Sequence, residues 1–344
     1  MSIEICELTP EYAHAWDAFV MAHPHGGPFH LIAWKESIEE VFGYRPMYIL
    51  ATEGASIRGI LPLFLVQNFI LGKALISSPF AVYGGILADS SEVRDALGRQ
   101  LKQLSESLNV DYAELRNAYA EQCVGFAAVT RYVTFTQRVG PDEAELLETI
   151  PRKTRRMVRK SLENSLVTRQ RKTEFLAFED LYSENLRRLG TPSFPPHHFA
   201  ALIRHFGEMV DIREVIHQDR VVAAVMTFYF RDQVLPYYGA SDPAYNSLAP
   251  NNYMYFDLMR WAGQNRYNRF DFGRSKKVSG SHDFKAHWGM EERDLPYEML
   301  LVKRKNLPDL SPNAARFQLP IKIWQKLPLP VTRALGPKFL RLVP

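Results

Sequence analysis

The order of apolar and polar positions along the chain repeats. From Met47 to Val66 (MYILATEGASIRGILPLFLV) a short apolar run, the polar turn Glu53-Gly54-Ala55-Ser56 and a longer run predict a β-hairpin. Asp211 to Phe230 (DIREVIHQDRVVAAVMTFYF) has the same order around Gln218-Asp219-Arg220. A further strand follows each, over Ala74 to Tyr83 and over Gln233 to Tyr238. Then comes helical spacing, clear at Val93, Leu97, Leu101, Leu104 and Leu108, less clean around Tyr253, Phe256, Leu258, Met259 and Trp261. Each stretch closes on a short strand, Tyr112 to Arg116 and Arg269 to Arg274.

The approaches to the two hairpins match as well. Trp16, Phe19, Trp34 and Phe42 punctuate a helix–loop–helix in the first, and Phe178, Leu186, Phe199 and Phe206 do so in the second. A mixed order with hairpins indicates an α+β fold rather than a doubly wound parallel sheet. The pattern predicts one α+β domain used twice, over 1–140 and 141–302, with a tail over 303–344.

Charge separates these parts. The chain of 344 residues carries a net +4, yet residues 152–172 hold nine Lys/Arg against Glu163, and residues 303–344 hold nine against Asp309. Each segment is therefore +8, which leaves −12 for the remainder, an acidic body with two basic appendages. Cys6 and Cys123 cannot build a disulfide framework. The opening residues MSIEICELTPEYAHAW lack the basic and apolar segments of a signal peptide, so a cytoplasmic location is expected. The greasiest window, Gly59 to Gly72, is broken by Pro62, Gln67 and Asn68 and is too short to span a bilayer.

Several chemistries lack their signatures. The sequence has no G-x-G-x-x-G, no P-loop, no G-x-S-x-G elbow and no C-x-x-C pair. The groups His23-Pro24-His25 with His30, and His197-His198, lack metal-ligand spacing and read as a polar loop and a helix start, so no metal is expected. The densest polar–aromatic stretch runs through Tyr237-Tyr238-Gly239-Ala240-Ser241, Pro250-Asn251-Asn252-Tyr253, Asp271-Phe272-Gly273-Arg274-Ser275 and Phe284-Lys285-x-x-Trp288-Gly289. Tyr238 and Arg274 fall at the ends of neighbouring strands and Asn251 and Asn252 at a helix start, which predicts a pocket.

These runs, the second carried on through Met254 to Tyr255, join Phe29-x-x-x-x-Trp34, Tyr83-Gly84-Gly85, Pro151-Arg152-Lys153-x-Arg155-Arg156-x-x-Arg159 and Gly190-Thr191-Pro192-x-x-Pro195-x-x-x-Phe199. The set, spread over nearly the whole chain, resembles the FemAB-like group associated with the exosortase/PEP-CTERM system. That resemblance implies two tandem GNAT-type domains and acyl transfer to an amine of a peptidoglycan or exopolysaccharide precursor. Aminoacyl-tRNA is the donor in the best-known relatives and acyl-CoA in other proteins of the fold; no bound cofactor is implied. It also places Lys285, of the closing Phe-Lys pair, at the reaction centre. The chain departs from the group in lacking a long helical hairpin in the second domain, which also has no Arg/Gln-x-x-Gly-x-Gly/Ala loop for a CoA pyrophosphate.

Chemistry assigns the remaining roles. An ester attacked by an amine develops an oxyanion, which the Lys285 ammonium is expected to stabilise rather than to abstract a proton. Arg274 is expected to orient an anionic part of a substrate, with Tyr238, Asn252, Ser275, Trp34 and Tyr83 lining the pocket. Lys153, Arg155, Arg156 and Arg159 would meet RNA phosphates, or the phosphates of a lipid- or nucleotide-linked acceptor, or would form a solvated linker helix pairing with the acidic body. The tail, FQLPIKIWQKLPLPVTRALGPKFLRLVP from Phe317, would lie on the inner face of the cytoplasmic membrane or pack over a domain. The non-enzymatic alternative is a binding or scaffold protein of envelope polysaccharide assembly.

Overall fold

The computed structural model describes residues 3–70, 72–119, 123, 125–308 and 315–342. It forms two compact units. The first takes 1–132, 294–314 and 338–344, and the second takes 133–293 and 315–337.

In the first unit Pro62 splits the long run of the hairpin into Ser56–Leu61 and Leu63–Asn68, which enter different sheets. A proline has no N–H for a ladder, so the break falls there. One sheet is ordered Glu4–Glu7, Ile49–Glu53, Ser56–Leu61, Leu87–Ala88. The other is ordered Arg45–Pro46, Leu63–Asn68, Gly72–Ser77, Tyr112–Leu115, Tyr297–Leu301, Ala127–Val129. Helix Ser91–Ser107, capped by Ser90 accepting from the Val93 N–H, buries Val93, Leu97 and Leu101 on the first of these sheets.

The second unit is one seven-stranded sheet. Its order is Val167–Arg171, Val210–His217, Arg220–Phe230, Gln233–Ser241, Arg269–Lys276, Tyr132–Arg138, Glu291–Asp294. Helix Pro250–Gln264 crosses between two of these strands, opened by Pro250 in its first turn. Its Phe256, Leu258 and Met259 join Val215, Phe270, Phe272 and Trp288 in the core.

The α+β class and the repeated order are as expected, but the units do not end at 140 and 302. Strand Tyr132–Arg138, expected in the first domain, lies in the second unit's sheet. Strand Tyr297–Leu301, expected in the second, pairs with Tyr112–Leu115 and Ala127–Val129 in the first. Sheet edges left unpaired are a liability, and each exchanged strand covers one.

The tail is not a separate appendage. Residues 309–314 lie outside the described residues; after them come helices Ala315–Lys326 and Leu329–Leu340. The first docks on helix Leu176–Leu189 and the turn after it. Arg187 donates to the Gln325 carbonyl at 2.8 Å, Trp324 Nε1 donates to the Thr191 carbonyl at 3.2 Å, and Ile321 lies against Gly190. Thus the Gly-Thr-Pro run receives the tail. No helix among the described residues is long and apolar enough to cross a membrane.

Candidate active site

Strands Gln233–Ser241 and Arg269–Lys276 run parallel but pair only through Gln233 with Arg269 and Val234 with Phe270. Beyond that point they splay apart, leaving backbone groups that a ladder no longer satisfies. The Asp-Phe-Gly-Arg-Ser run shows how one side of the splay is built. Asp271, 2% exposed, accepts from the N–H of Gly273 at 2.7 Å and from Thr134 Oγ1 at 3.0 Å. This side-chain turn fixes Gly273 at a φ of +67°, a conformation that costs a residue with a Cβ about 1–2 kcal/mol.

The resulting kink turns three consecutive carbonyls toward one cation. Lys285 Nζ donates to the carbonyls of Phe272 at 2.6 Å, Gly273 at 3.1 Å and Arg274 at 3.1 Å. The lysine comes from helix Gly280–Ala286, which Ser279 opens by accepting from the His282 N–H. Burial pushes the Lys285 ammonium down to about 8, with Asp271 opposing and Arg274 adding to the fall. An ammonium has three hydrogens. All three are used by the backbone, so in this geometry Lys285 has none left for an oxyanion, contrary to the role expected of it.

The other side of the splay is filled from the helix. The Tyr255 ring stands edge-on to Phe272 at 4.8 Å and near Phe284 at 5.7 Å. Its hydroxyl lies over Gly239, 2.8 Å from where a Cβ would stand. Tyr255 therefore bridges the two splayed strands. Burial pushes its phenol up to about 12, and its hydroxyl makes no hydrogen bond among the described residues. Tyr255 was not singled out by sequence, because nothing in the Tyr-Met-Tyr-Phe run marks which ring faces a glycine.

The other expected residues fall in several places. Asn252 occupies the third position of helix Pro250–Gln264, and its neighbour Asn251 donates to Ser241 Oγ at 2.8 Å. Arg274 is half-buried beside the kink, and Ser275 is buried with a hydroxyl that has no partner among the described residues. Tyr238 does not line the splay. Alternation along the strand sends it to the opposite face from Gly239. There it is 4% exposed among Tyr182, Phe194 and Phe199, with its hydroxyl 3.1 Å from His198 Nε2. Burial pushes that imidazole down to about 3. Trp34 and Tyr83 belong to the first unit. Trp34 is fully buried, edge-on to Phe29 at 4.8 Å, and Tyr83 is 7% exposed, so the Phe-x-x-x-x-Trp frame is a packing contact.

The equivalent strand end in the first unit is closed by its own arginine. Arg116, 3% exposed, donates to Glu114 Oε1 at 2.8 Å and to the carbonyls of Ser78 and Ala81. That unit also holds a cavity of about 320 Å³ lined by His23, His25, His30, Arg94 and Tyr119. Two of these histidines bond backbone: the His23 and His30 rings meet the carbonyls of Ala88 and Gly85.

The basic run forms helix Arg152–Leu162, with Thr154, Val158 and Ser161 buried. At 100° per residue, Arg152, Arg156 and Arg159 lie directly opposite that face, flanked by Lys153, Arg155 and Lys160. None of these six cations pairs with a carboxylate among the described residues. The rest of the run differs, since Arg169 and Arg171 reach Glu214 and Lys172 reaches Glu208. The helix is tied to the site at both ends. Thr154 Oγ1 donates to the His287 carbonyl at 2.6 Å, two residues past Lys285. At the far end Asn164 Nδ2 donates to the Leu248 carbonyl at 3.1 Å, just before Pro250.

Residues 147–286 match a family model described as an acetyltransferase (GNAT) domain. No curated protein matches the chain. Among solved structures, FemX is similar over 87% of this chain and 98% of its own, at 15% identity and a TM-score of 0.70. L-PGS from Bacillus licheniformis is similar over 96% and 98%, at 12% identity and 0.56. A tandem GNAT protein from the clavulanic acid biosynthesis pathway is similar over 89% and 100%, at 11% identity and 0.54. The chain is an α+β protein of two tandem GNAT-type domains, and the splay, the kink and the basic helix all lie in the matched second one.

Proposed function

We propose that this protein is an acyltransferase that forms an amide at the splay of its second unit, drawing the acyl group from aminoacyl-tRNA. The observation that carries the donor is the basic helix. Six cations without acidic partners, on a helix bonded at one end beside Lys285 and at the other beside Asn251 and Asn252, suit a phosphate backbone whose end enters the splay. Such a donor belongs to the cytoplasm. The acceptor is an amine on a cell-envelope or exopolysaccharide precursor, a reading supported by the likeness to FemX and by the resemblance of the motif set to that of the exosortase-associated group.

In the reaction the amine lone pair attacks the ester carbonyl carbon and the oxygen takes up negative charge. Collapse expels the ribose oxygen, which takes the proton that the nitrogen loses. Holding the two substrates in line supplies much of the acceleration. Radiolabelled transfer from charged tRNA, compared with acyl-CoA and repeated after RNase, tests the reading. Label reaching the acceptor from tRNA and lost with RNase is expected. RNase-resistant transfer from acyl-CoA would replace the donor, and binding of the precursor without transfer by either would leave a scaffold.

Helix Ala315–Lys326 uses one face to dock, while its outer face presents Leu319 and Ile323 at 68% and 54% exposure alongside Lys322 and Lys326. We infer that this outer face touches an anionic membrane surface. Flotation with liposomes containing phosphatidylglycerol should fall when Leu319 and Ile323 are both changed to Ser; unchanged flotation would dismiss the contact.

A further inference from the structure

Lys285 and Tyr255 both meet the splayed strands, and among the described residues they differ in what they have left to donate. Lys285 spends all three on the carbonyls of Phe272, Gly273 and Arg274. Tyr255 spends none, and its oxygen sits on the bare backbone of Gly239, where no side chain intervenes. Moving the lysine onto a substrate oxygen would strip at least one buried carbonyl of its partner, which is unfavourable. Using the tyrosine strips nothing. Its ring is fixed by Phe272 and Phe284 on one side and by the strand on the other, so its hydroxyl is held in place before any substrate arrives.

We propose that Tyr255, rather than Lys285, gives the hydrogen bond that stabilises the oxyanion in this acyl transfer, and that Lys285 is a positioning residue that keeps the Gly273 kink closed. This rests on the acyl-transfer reading above. The nitrogen–carbon bond forms, the carbonyl pair moves to oxygen, and Tyr255 O–H donates to that oxygen without surrendering its proton. On collapse the carbon–oxygen bond to the leaving group breaks, and the departing oxygen takes the proton shed by the amine. A phenol held up at about 12 is suited to donate while staying protonated. Gly239 contributes by omission: a Cβ there would stand 2.8 Å from the hydroxyl and displace it.

The experiment is steady-state transfer from charged tRNA by the full chain and its variants Tyr255→Phe, Lys285→Arg and Lys285→Met, with thermal unfolding of each. Tyr255→Phe keeps the ring that fills the splay, so its Tm should stay near that of the parent. Its kcat should fall about 100-fold, as for loss of one oxyanion donor, with KM changed less than twofold. Lys285→Arg should recover most of the kcat that Lys285→Met loses, because a guanidinium can still donate to the carbonyls. A Tyr255→Phe variant with more than half the parental kcat overturns the assignment and leaves the transferase reading standing. A parent chain that transfers nothing from tRNA or acyl-CoA overturns both. Equal loss in Lys285→Arg and Lys285→Met, with Tyr255→Phe intact, returns the catalytic role to the lysine.

Discussion

Thr154 donates its hydroxyl to the carbonyl of His287 at 2.6 Å, joining the helix that carries the unpaired cations to the segment that carries Lys285. A substrate phosphate held on the helix is thereby held at a fixed distance from the splay. Thr154→Val keeps the shape and leaves the His287 carbonyl unmatched. It should cost about 1 kcal/mol in urea unfolding, and transfer should fall by more than tRNA binding does.

The unpaired cations predict the ionic-strength behaviour of the protein. Neutralising Arg156 and Arg159 together should lower the slope of log affinity against log salt by about 1.5. Neutralising Arg169, which is bound to the buried Glu214, should leave the slope alone and reduce stability instead. Fluorescence titration of labelled tRNA at several salt concentrations, with unfolding of each variant, separates the two classes.

The kink at Gly273 is a second point of leverage. Gly273→Ala forces a Cβ into the left-handed region and should destabilise the chain by about 1–2 kcal/mol. It should also lower kcat several-fold, because the three carbonyls no longer converge on Lys285. Parental transfer in a destabilised Gly273→Ala variant would show that the kink serves folding alone.

pH separates stability from activity. The folded ammonium of Lys285 titrates near 8, below its ordinary 10.5, so between those values the folded chain binds fewer protons than the unfolded one. This group's contribution to stability therefore rises as pH climbs through that window. Over the same window the amine drops to two hydrogens for three carbonyls, and kcat should fall with an apparent midpoint near 8. Lys285→Arg should move that fall to higher pH, which a pH–rate profile of parent and variant reads directly.

The docked tail makes a stability prediction. Trp324 is 9% exposed and bonded to the Thr191 carbonyl, so Trp324→Ala should cost about 3 kcal/mol and loosen the Gly190–Pro196 turn. Denaturant unfolding together with limited proteolysis of that turn would register both effects.

Sequence was informative where the signal is periodic and weak where it depends on partners. The hairpins, the helices after them and the closing strands follow from side-chain spacing alone, so the duplicated α+β plan was legible. Asn251 and Asn252 fall in the first turn of a helix and Arg274 near the end of a strand, positions that side-chain spacing also indicates. The use made of Lys285 was not legible, because its partners are backbone carbonyls, which every residue possesses. The motifs hold Tyr238 and Tyr255 alike, with nothing to show which of the two rings reaches the splay. A shift of one position along a strand reverses the face, and no residue type records the register. Trp34 shows the same limit, since an aromatic frame looks identical whether it packs a core or a substrate.

The exchanged strands set a timetable for synthesis. Leu115 pairs with Glu298, about 180 residues further along, so the six-stranded sheet of the first unit stays incomplete until that residue has left the ribosome. The second unit's sheet waits almost as long, because its borrowed strand, Tyr132–Arg138, pairs with Arg269–Lys276 and Glu291–Asp294. Neither half can therefore close its sheet early, and pairings of long sequence separation set the pace for both.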